Sequence, residues 1–354
     1  MKIAIEATLA QGKKTGLGNY VSNLIEHISI LDKENKYILL HSSKDWTGKN
    51  FGSNFEPVSY YLKKESIGIL FNLERKLRKV GAELFHSTYP IGFYCKPTIP
   101  IVTTIHDMFP LFCRNSYSIF YKYFFRYSIN WTAQYSSYFI YNSEVTKDEF
   151  TKYFNISSDK GEVVYLGPSF DYSDVRVPNK IGPIICVGAI ELRKNQMFLL
   201  NAYSEALDLF PNLPDLIFIG PERKSGRGFA KKIIFEGLSR KVKWLNYITN
   251  EELIKQYATA SLMLYPSSLE GFGIPLVDAI NCNLPVICSD IPIFREIGKS
   301  YPIFAKCNDK VDWIKKIIDF YKTPCLTTTF NYDLMEKYGW KSCAKKILEV
   351  YRKL

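Results

Sequence analysis

"SSLEGFGIPLVDAINCNLPVICSD" runs from Ser267 to Asp290. Two carboxylates, Glu270 and Asp278, stand eight residues apart in it, with two glycines and a proline between them. The flanks decide how it is read. "SLMLYP" ahead of it and "LPVICSD" at its end are short apolar runs that suit central strands of a parallel sheet. Pro275 suits the first helical position, where a missing N–H costs nothing. The stretch therefore predicts a β–loop–α–β unit with its glycine loop over the carboxyl end of a strand. Open parallel sheets bind ligands at that edge.

Strands and helices alternate twice along the 354 residues. Strand candidates in the first half are "KIAIEA", "KYILLHSS", "EPVSYYL", "AELFHST", "PIVTTIHD", "SYFIYNS" and "GEVVYLG", with helix-length stretches such as "GNYVSNLIEHISIL" and "NLERKLRKV" between them. "LGPSFDYSDVRVPNKIG" (166–182), rich in Pro, Gly, Ser and charge, reads as a linker. The alternation restarts with "PIICVGAI", "LIFIGP" and "VKWLNYI". Helices are expected from about Asn195, near 228–239 and after Thr249, which has capping-box spacing to Glu252. The pattern predicts an α/β protein of two doubly wound, Rossmann-like domains facing a cleft. Residues 1–168 form the first, 169–335 the second, and an amphipathic helix in 336–354 packs on either.

Composition sets bounds. Hydrophobic residues make up 47%, enough for large cores. A net charge of +11 and a pI near 9.0 point to an anionic partner: a nucleotide, a phospholipid surface or a nucleic acid. No basic tail stands out, so nucleic acid is not expected. The eight cysteines are scattered without a C-x-x-C pair and read as small apolar residues of a reducing compartment. "MKIAIEATLA" leads straight into a strand and is no signal peptide. No apolar run approaches the roughly 18–20 residues that span a bilayer, so a cytoplasmic or peripheral protein is expected.

Four segments place chemistry-bearing residues after strands. In "GKKTGLGNYV", Gly16 and Gly18 precede a helix, as a loop that lets backbone N–H groups approach a phosphate or sugar. Val21 in the third glycine position departs from the dinucleotide fingerprint, so an ordinary turn is the competing reading. In "TTIHDMFP", His106 ends a buried strand, as a site residue or a satisfied structural histidine. In "VGAIELRKN", Arg193 and Lys194 stand at a helix start against the favourable dipole arrangement, so something anionic should compensate them. Both side chains are expected to face solvent or ligand rather than core. Glu270 and Asp278 flank "GFGIP" as site carboxylates or as surface charges stabilising a helix start.

Together "TGLGNYV", "VTTIHDMFP", "VGAIELRKN", "LIFIG", "VKWLNYITNEELIKQYATASLMLYPSSLEGFGIPLVDAI" and "PVICSDIPIFREIG" resemble the retaining nucleotide-sugar glycosyltransferases of the GT-B fold, the large family-four group. The resemblance covers nearly the whole chain and is densest from Ile184 to Gly298. "GLGNY" and "HDMFP" are most similar to bacterial transferases that build O-antigen, capsule and other surface polysaccharides, many from GDP-mannose. The resemblance implies that Arg193 and Lys194 hold the donor diphosphate and that Glu270 contacts the donor. The backbone of Gly271, Phe272, Gly273 and Ile274 would reach the transferred sugar or phosphate. It implies that His106 touches the donor sugar and that Gly16 and Gly18 line the phosphate and acceptor side. The carboxylate that holds ribose hydroxyls would be Asp278, one methylene shorter than the family's usual glutamate. The acceptor would be a glycan or a polyprenyl-diphosphate-linked sugar. The nucleotide sugar is a co-substrate, and no cofactor is implied. No D-x-D tripeptide occurs, so no metal requirement is expected.

Other readings use the same residues. A nucleotide-sugar epimerase would release a rearranged sugar without an acceptor. A non-catalytic nucleotide-sugar-binding protein would fit if Asp278 marked decay, and a DNA-directed transferase would need a concentrated basic groove. One stretch stands apart from the donor motifs. "SYSIFYKYFFRYSINWTAQYSSYF" (116–139) crowds aromatics around Lys122 and Arg126. At 3.6 residues per turn, Phe120, Phe124, Tyr127 and Trp131 form one stripe, expected to face the core; Tyr117, Tyr121, Phe125 and Ser128 form the adjacent face. With the basic "LERKLRKV" (73–80), this raises two alternatives: a buried aromatic helix, or docking on the inner leaflet of the plasma membrane.

Overall fold

The computed structural model describes residues 1–11, 16–61, 67–93, 96–112, 118–170, 181–323 and 332–354. The linker's centre (171–180), the "GKKT" of the first glycine loop, Tyr117 and the cysteines at 95, 113 and 325 lie outside the described residues. The chain divides into two compact units, residues 1–167 with 338–354, and residues 168–337.

The first unit is built on a seven-stranded parallel sheet: β1 (Lys2–Glu6), β2 (Lys36–His41), β3 (Phe55–Ser59), β4 (Leu84–Ser87), β5 (Ile101–Ile105), β6 (Tyr138–Tyr141) and β7 (Gly161–Val163), in the order β3-β2-β1-β4-β5-β6-β7. The inner strands are buried on both faces because helices cover both sides; "IVTTI" of β5 is buried along its whole length, its two threonines included. Strand order reverses between β1 and β4. The C-terminal helix Trp340–Arg352 belongs to this unit. Tyr351 on it shares a hydrogen bond of 2.6 Å with Nδ1 of His86, whose Nε2 lies 2.9 Å from Oγ1 of Thr104. Such a pair of bonds fixes a buried imidazole at low cost.

The second unit carries a six-stranded parallel sheet: β8 (Ile184–Val187), β9 (Leu216–Ile219), β10 (Val242–Leu245), β11 (Leu262–Tyr265), β12 (Val286–Ser289) and β13 (Ile303–Ala305), in the order β10-β9-β8-β11-β12-β13. Here the order reverses between β8 and β11. Its core packs Leu199, Leu200 and Tyr203 of the helix Gln196–Leu209 and Trp313 and Ile317 of the helix Lys310–Lys322 against Ile184, Phe218 and Leu262. The capping box is present: Oγ1 of Thr249 accepts from the Glu252 N–H at 3.2 Å, and Oε2 of Glu252 accepts from the Thr249 N–H at 2.7 Å. Cys186, Cys282, Cys288 and Cys343 are buried.

The aromatic helix spans Ile119–Tyr135, and its orientation corrects the expected stripe. Phe120 is 70% exposed and Phe124 and Tyr127 40%, whereas Ser128, Ile129 and Thr132 are buried and Phe125 packs with Ile105, Met108 and Phe139. Of the expected core stripe, only Trp131 is buried. Small side chains won over large ones. The loop after β4 runs so close that a Cβ on Gly92 would lie 3.2 Å from the Ser128 Cα. Thr132 reaches the Ile91 carbonyl in the same crossing. Aromatic bulk on that face would hold the loop away.

Candidate active site

The second unit's site forms at the carboxyl ends of β8 and β11, where its strand order reverses. After β8 the chain makes a single tight turn, Leu192–Lys194, and Asn195, in the left-handed region at φ 62°, starts the helix Gln196–Leu209. After β11 it runs through Ser267 and Ser268 to Glu270. The two loops are stitched together. The Arg193 carbonyl accepts from the Ser268 N–H at 2.8 Å and from its hydroxyl at 3.1 Å, while Nη1 of Arg193 donates to the Leu269 carbonyl at 3.2 Å.

Arg193, Lys194 and Glu270 meet there. Nζ of Lys194 donates to Oε1 of Glu270, Nη1 of Arg193 lies 3.2 Å from Oε2, and Nη2 of Arg193 lies 2.7 Å from Glu191. The Tyr265 hydroxyl donates to Oε1 of Glu270 at 2.9 Å. The side chains of Lys194 and Glu270 are only 11% and 7% exposed and that of Arg193 is 21%, so the cations face Glu270, Glu191 and Tyr265 more than solvent. The anion expected near them is thus supplied first by the chain itself. Burial alone would raise the Glu270 carboxyl, but Lys194 and then Arg193 overcome it and hold the group at about 2. Burial pulls the Lys194 ammonium below its usual value, with Glu270 pulling it back. Two cations and two carboxylates, brought together where the two loops meet, cancel formally. They leave guanidinium and ammonium donors fixed in place, which is what an incoming diphosphate needs.

The glycine loop borders this cluster. Gly273 is the N-cap of the helix Ile274–Asn281, with φ +93°, and a Cβ there would come 3.0 Å from the Phe294 ring. Glycine is therefore required both by backbone and by neighbour. Pro275 occupies the second helical position, one later than expected. Phe272 is buried, so what it offers a ligand is its backbone. Gly271 and Ile274 are half-buried.

Asp278 is 2% exposed, and its two oxygens accept from the Ser169 N–H at 2.6 Å and hydroxyl at 2.9 Å. The carboxylate that the resemblance assigns to ribose hydroxyls is here taken up by the chain entering the unit. Burial pushes it up to about 7, against the opposing pull of Ser169. A folded value above the unfolded 3.8 stabilises the fold fully below that pH and loses the contribution as pH rises toward 7. Burial likewise raises Glu6 in the first unit to about 7, so a variant must isolate Asp278. Asp278→Asn keeps an acceptor for the Ser169 N–H and cannot ionise. Between pH 4 and 7.5 its melting temperature should fall less than the wild type's, by several degrees. Parallel curves would contradict this.

Gly16, Gly18 and His106 belong to the first unit. Gly16 begins the helix Gly16–Leu31, and among the described residues a Cβ there would meet nothing within 4 Å. Gly18 is buried on that helix. His106 follows β5, 9% exposed, edge-on to Tyr20 at 4.7 Å. Its Nε2 lies 3.0 Å from the Thr88 carbonyl, so Nε2 carries the proton and Nδ1 is an acceptor. Burial lowers its pKa to about 4, so the ring is neutral and only weakly basic, suited to accept a hydrogen bond at Nδ1 rather than to take up a proton.

Sequence reading missed Glu191, Tyr265 and Ser169 as partners of the donor-side residues. It also missed Glu6, buried at the end of β1, where it accepts from Thr8 and, at 2.8 Å, from the Tyr60 hydroxyl. A lone acid inside the apolar run "KIAIEA" was its signal. Among the described residues, no group of three His, Cys, Asp or Glu side chains is arranged to hold a metal ion.

Comparison with known proteins agrees with the two-unit architecture. The model of the Glycosyltransferase Family 4 domain matches residues 15–170, and that of the Glycosyl transferases group 1 domain matches residues 175–337. The O-antigen chain mannosyltransferase RfbU of Salmonella typhimurium is 27% identical over 66% of this chain and 65% of its own length. The O-antigen chain mannosyltransferase B of Escherichia coli is 23% identical over the full length of both. Sucrose-phosphate synthase from Thermosynechococcus elongatus matches with a TM-score of 0.75 at 16% identity, over 99% of this chain and 98% of its own. HepE of Anabaena, solved with UDP and glucose, matches with a TM-score of 0.73 at 16% identity, over 100% and 99%.

Proposed function

The chain belongs to the glycosyltransferases of the GT-B fold, with a Family 4 domain followed by a group 1 domain, and on that premise we propose that it is a retaining hexosyltransferase. Its donor is a nucleotide sugar, a mannose nucleotide by similarity to the O-antigen mannosyltransferases, and GDP-mannose by the resemblance of its motifs. Its acceptor is a hydroxyl of a growing, lipid-linked bacterial surface glycan. The protein would work in the cytoplasm, on the inner face of the plasma membrane. The observation that carries this reading is the Arg193–Lys194–Glu270 cluster at the carboxyl ends of β8 and β11, beside the start of a helix.

In the reaction the bond from the anomeric carbon to the diphosphate oxygen breaks and a bond to the acceptor oxygen forms on the same face. The acceptor's proton leaves with the diphosphate. Negative charge grows on the leaving group, and this chain answers it with Arg193, Lys194 and the N-terminal N–H groups of the helix Ile274–Asn281. Glu270 holds both cations in register and accepts from the donor sugar's hydroxyls; it is not a covalent nucleophile. Its depressed pKa keeps it ionised in that role.

Incubation with a panel of nucleotide sugars and a polyprenyl-diphosphate-linked acceptor tests the proposal. Acceptor-dependent release of nucleoside diphosphate and a product of the donor's anomeric configuration are expected. A rearranged free sugar, or inversion, would overturn it. Because fixed cations and backbone dipoles serve the diphosphate, turnover should persist within about twofold in a chelator. Complete loss restored by Mg²⁺ or Mn²⁺ would contradict that part.

A further inference from the structure

The helix Ile119–Tyr135 leaves an apolar face uncovered. Ile119, Phe120 and Tyr123 are 73%, 70% and 72% exposed, and Phe124 and Tyr127 are each 40% exposed. At about 100° per residue these five fall in one arc of roughly 140° over the helix's first turns. Phe112, on the short helix Phe109–Phe112 just ahead, is 55% exposed. The buried side of the same helix, Phe125, Ser128, Ile129 and Thr132, already satisfies the unit's core. Exposure on this scale is not needed for folding, and contiguous apolar patches on soluble chains mark interaction sites.

We infer that this half-helix is the surface by which the first unit settles on an anionic bilayer. The inference deepens the proposed function, from which it takes only the presence of a lipid-linked acceptor. Three observations select lipid. The face mixes Phe with Tyr123, the composition of interfacial belts, where rings enter the acyl boundary and hydroxyls stay with the headgroups; Tyr127 instead gives its hydroxyl to the Phe93 carbonyl. Its charge complements a negative leaflet: the helix contains no Asp or Glu, and exposed Arg126 borders the arc. The unit also carries the helix Ile67–Val80 with Arg75, Lys76, Arg78 and Lys79, in a chain of net charge +11. The arrangement is peripheral, since no helix among the described residues is long and apolar enough to cross a membrane.

The helix also lies on the useful edge of the sheet. It follows β5 and returns to β6, parallel strands, so it starts on the side of the strands' carboxyl ends. The loop bearing His106 starts from that same edge. A bilayer against the first turns of the helix therefore meets the ligand-binding edge of this unit.

Co-sedimentation with phosphatidylethanolamine–phosphatidylglycerol vesicles tests the inference without any nucleotide sugar, so it can fail while transfer succeeds and the reverse. Wild type should pellet with these vesicles at low salt, be released by salt and ignore pure phosphatidylcholine. The triple variant Phe120→Ser, Tyr123→Ser, Phe124→Ser should bind at least about tenfold more weakly. Arg126→Glu should bind about tenfold more weakly, and the loss should shrink in salt. All four side chains are exposed, so melting temperatures equal to wild type are expected and separate lost binding from lost fold. Wild type left in the supernatant at low salt, or a triple variant that binds like wild type, overturns the inference. Concentration-dependent self-association that the triple variant abolishes, without vesicle binding, assigns the face to a second copy of the chain and overturns it too.

Discussion

Replacing Arg193 and Lys194 together by alanine is expected to lower turnover at least a hundredfold. A fixed donor aimed at developing charge contributes about 2.7–4 kcal/mol to the transition state, roughly 10²–10³ in rate, and the two cations act as one unit, so their losses do not add. The deletion also strands Glu270, whose side chain is 7% exposed. Without cations, burial raises its pKa and the group takes up a proton; as a neutral acid it keeps the Tyr265 hydroxyl as partner. The double variant should thus fold with reduced stability rather than fail to fold. Circular dichroism and steady-state kinetics on the same preparation check this. Wild-type kcat/KM in a folded double variant would remove these residues from the donor site.

Legibility followed chain-local chemistry. Strands such as "IICV" and "LMLY" were readable because parallel strands buried on both faces are nearly pure apolar runs. β13 was not, since three residues between Pro302 and Lys306 carry no pattern that separates a strand from a loop. The capping box rests on two side chains three residues apart and was visible; the bond from Ser169 to Asp278 joins residues 109 apart and was not. Arg193 and Lys194 showed that an anion was needed. That Glu270, 77 and 76 residues away, supplies it depends on β8 and β11 being neighbours in the sheet. The aromatic helix misled for another reason. Counting large apolar residues located the bulkiest stripe, while the packed face was chosen by Ser128 and Thr132, which let a loop approach. Size alone does not say which face is buried when the interface is tight.

Glu270→Ala should destabilise the second unit more than any other single change at the site. Removing one partner of a buried ion pair costs about 3–5 kcal/mol, because the remaining charge keeps its desolvation penalty. Lys194, with its side chain 11% exposed, loses its carboxylate and is left with the Tyr265 hydroxyl, 3.4 Å away, the Tyr265 ring and the more distant charge of Glu191. Arg193 still has Glu191 at 2.7 Å, so the loss falls mainly on the ammonium, which should deprotonate more readily. The pH dependence gives a signature that a simple cavity would not. The folded Glu270 carboxyl lies at about 2 against an ordinary 4.5, so its stabilisation is complete above pH 4.5 and disappears as pH falls toward 2. The wild-type second unit should therefore weaken through that acid window, and Glu270→Ala should lack this limb, starting low and staying flatter. Glu270→Gln, which keeps an acceptor for Tyr265 and Lys194 without the charge, should lose less stability than alanine and share its flattened acid limb. Urea melts of the three proteins at pH 7, 4 and 3, each with Trp46, Trp131 and Trp340 of the first unit replaced by Phe so that Trp244 and Trp313 report from the second, measure both effects. A Glu270→Ala protein as stable as wild type at pH 7, with the same acid limb, would show that the cations do not depend on this carboxylate.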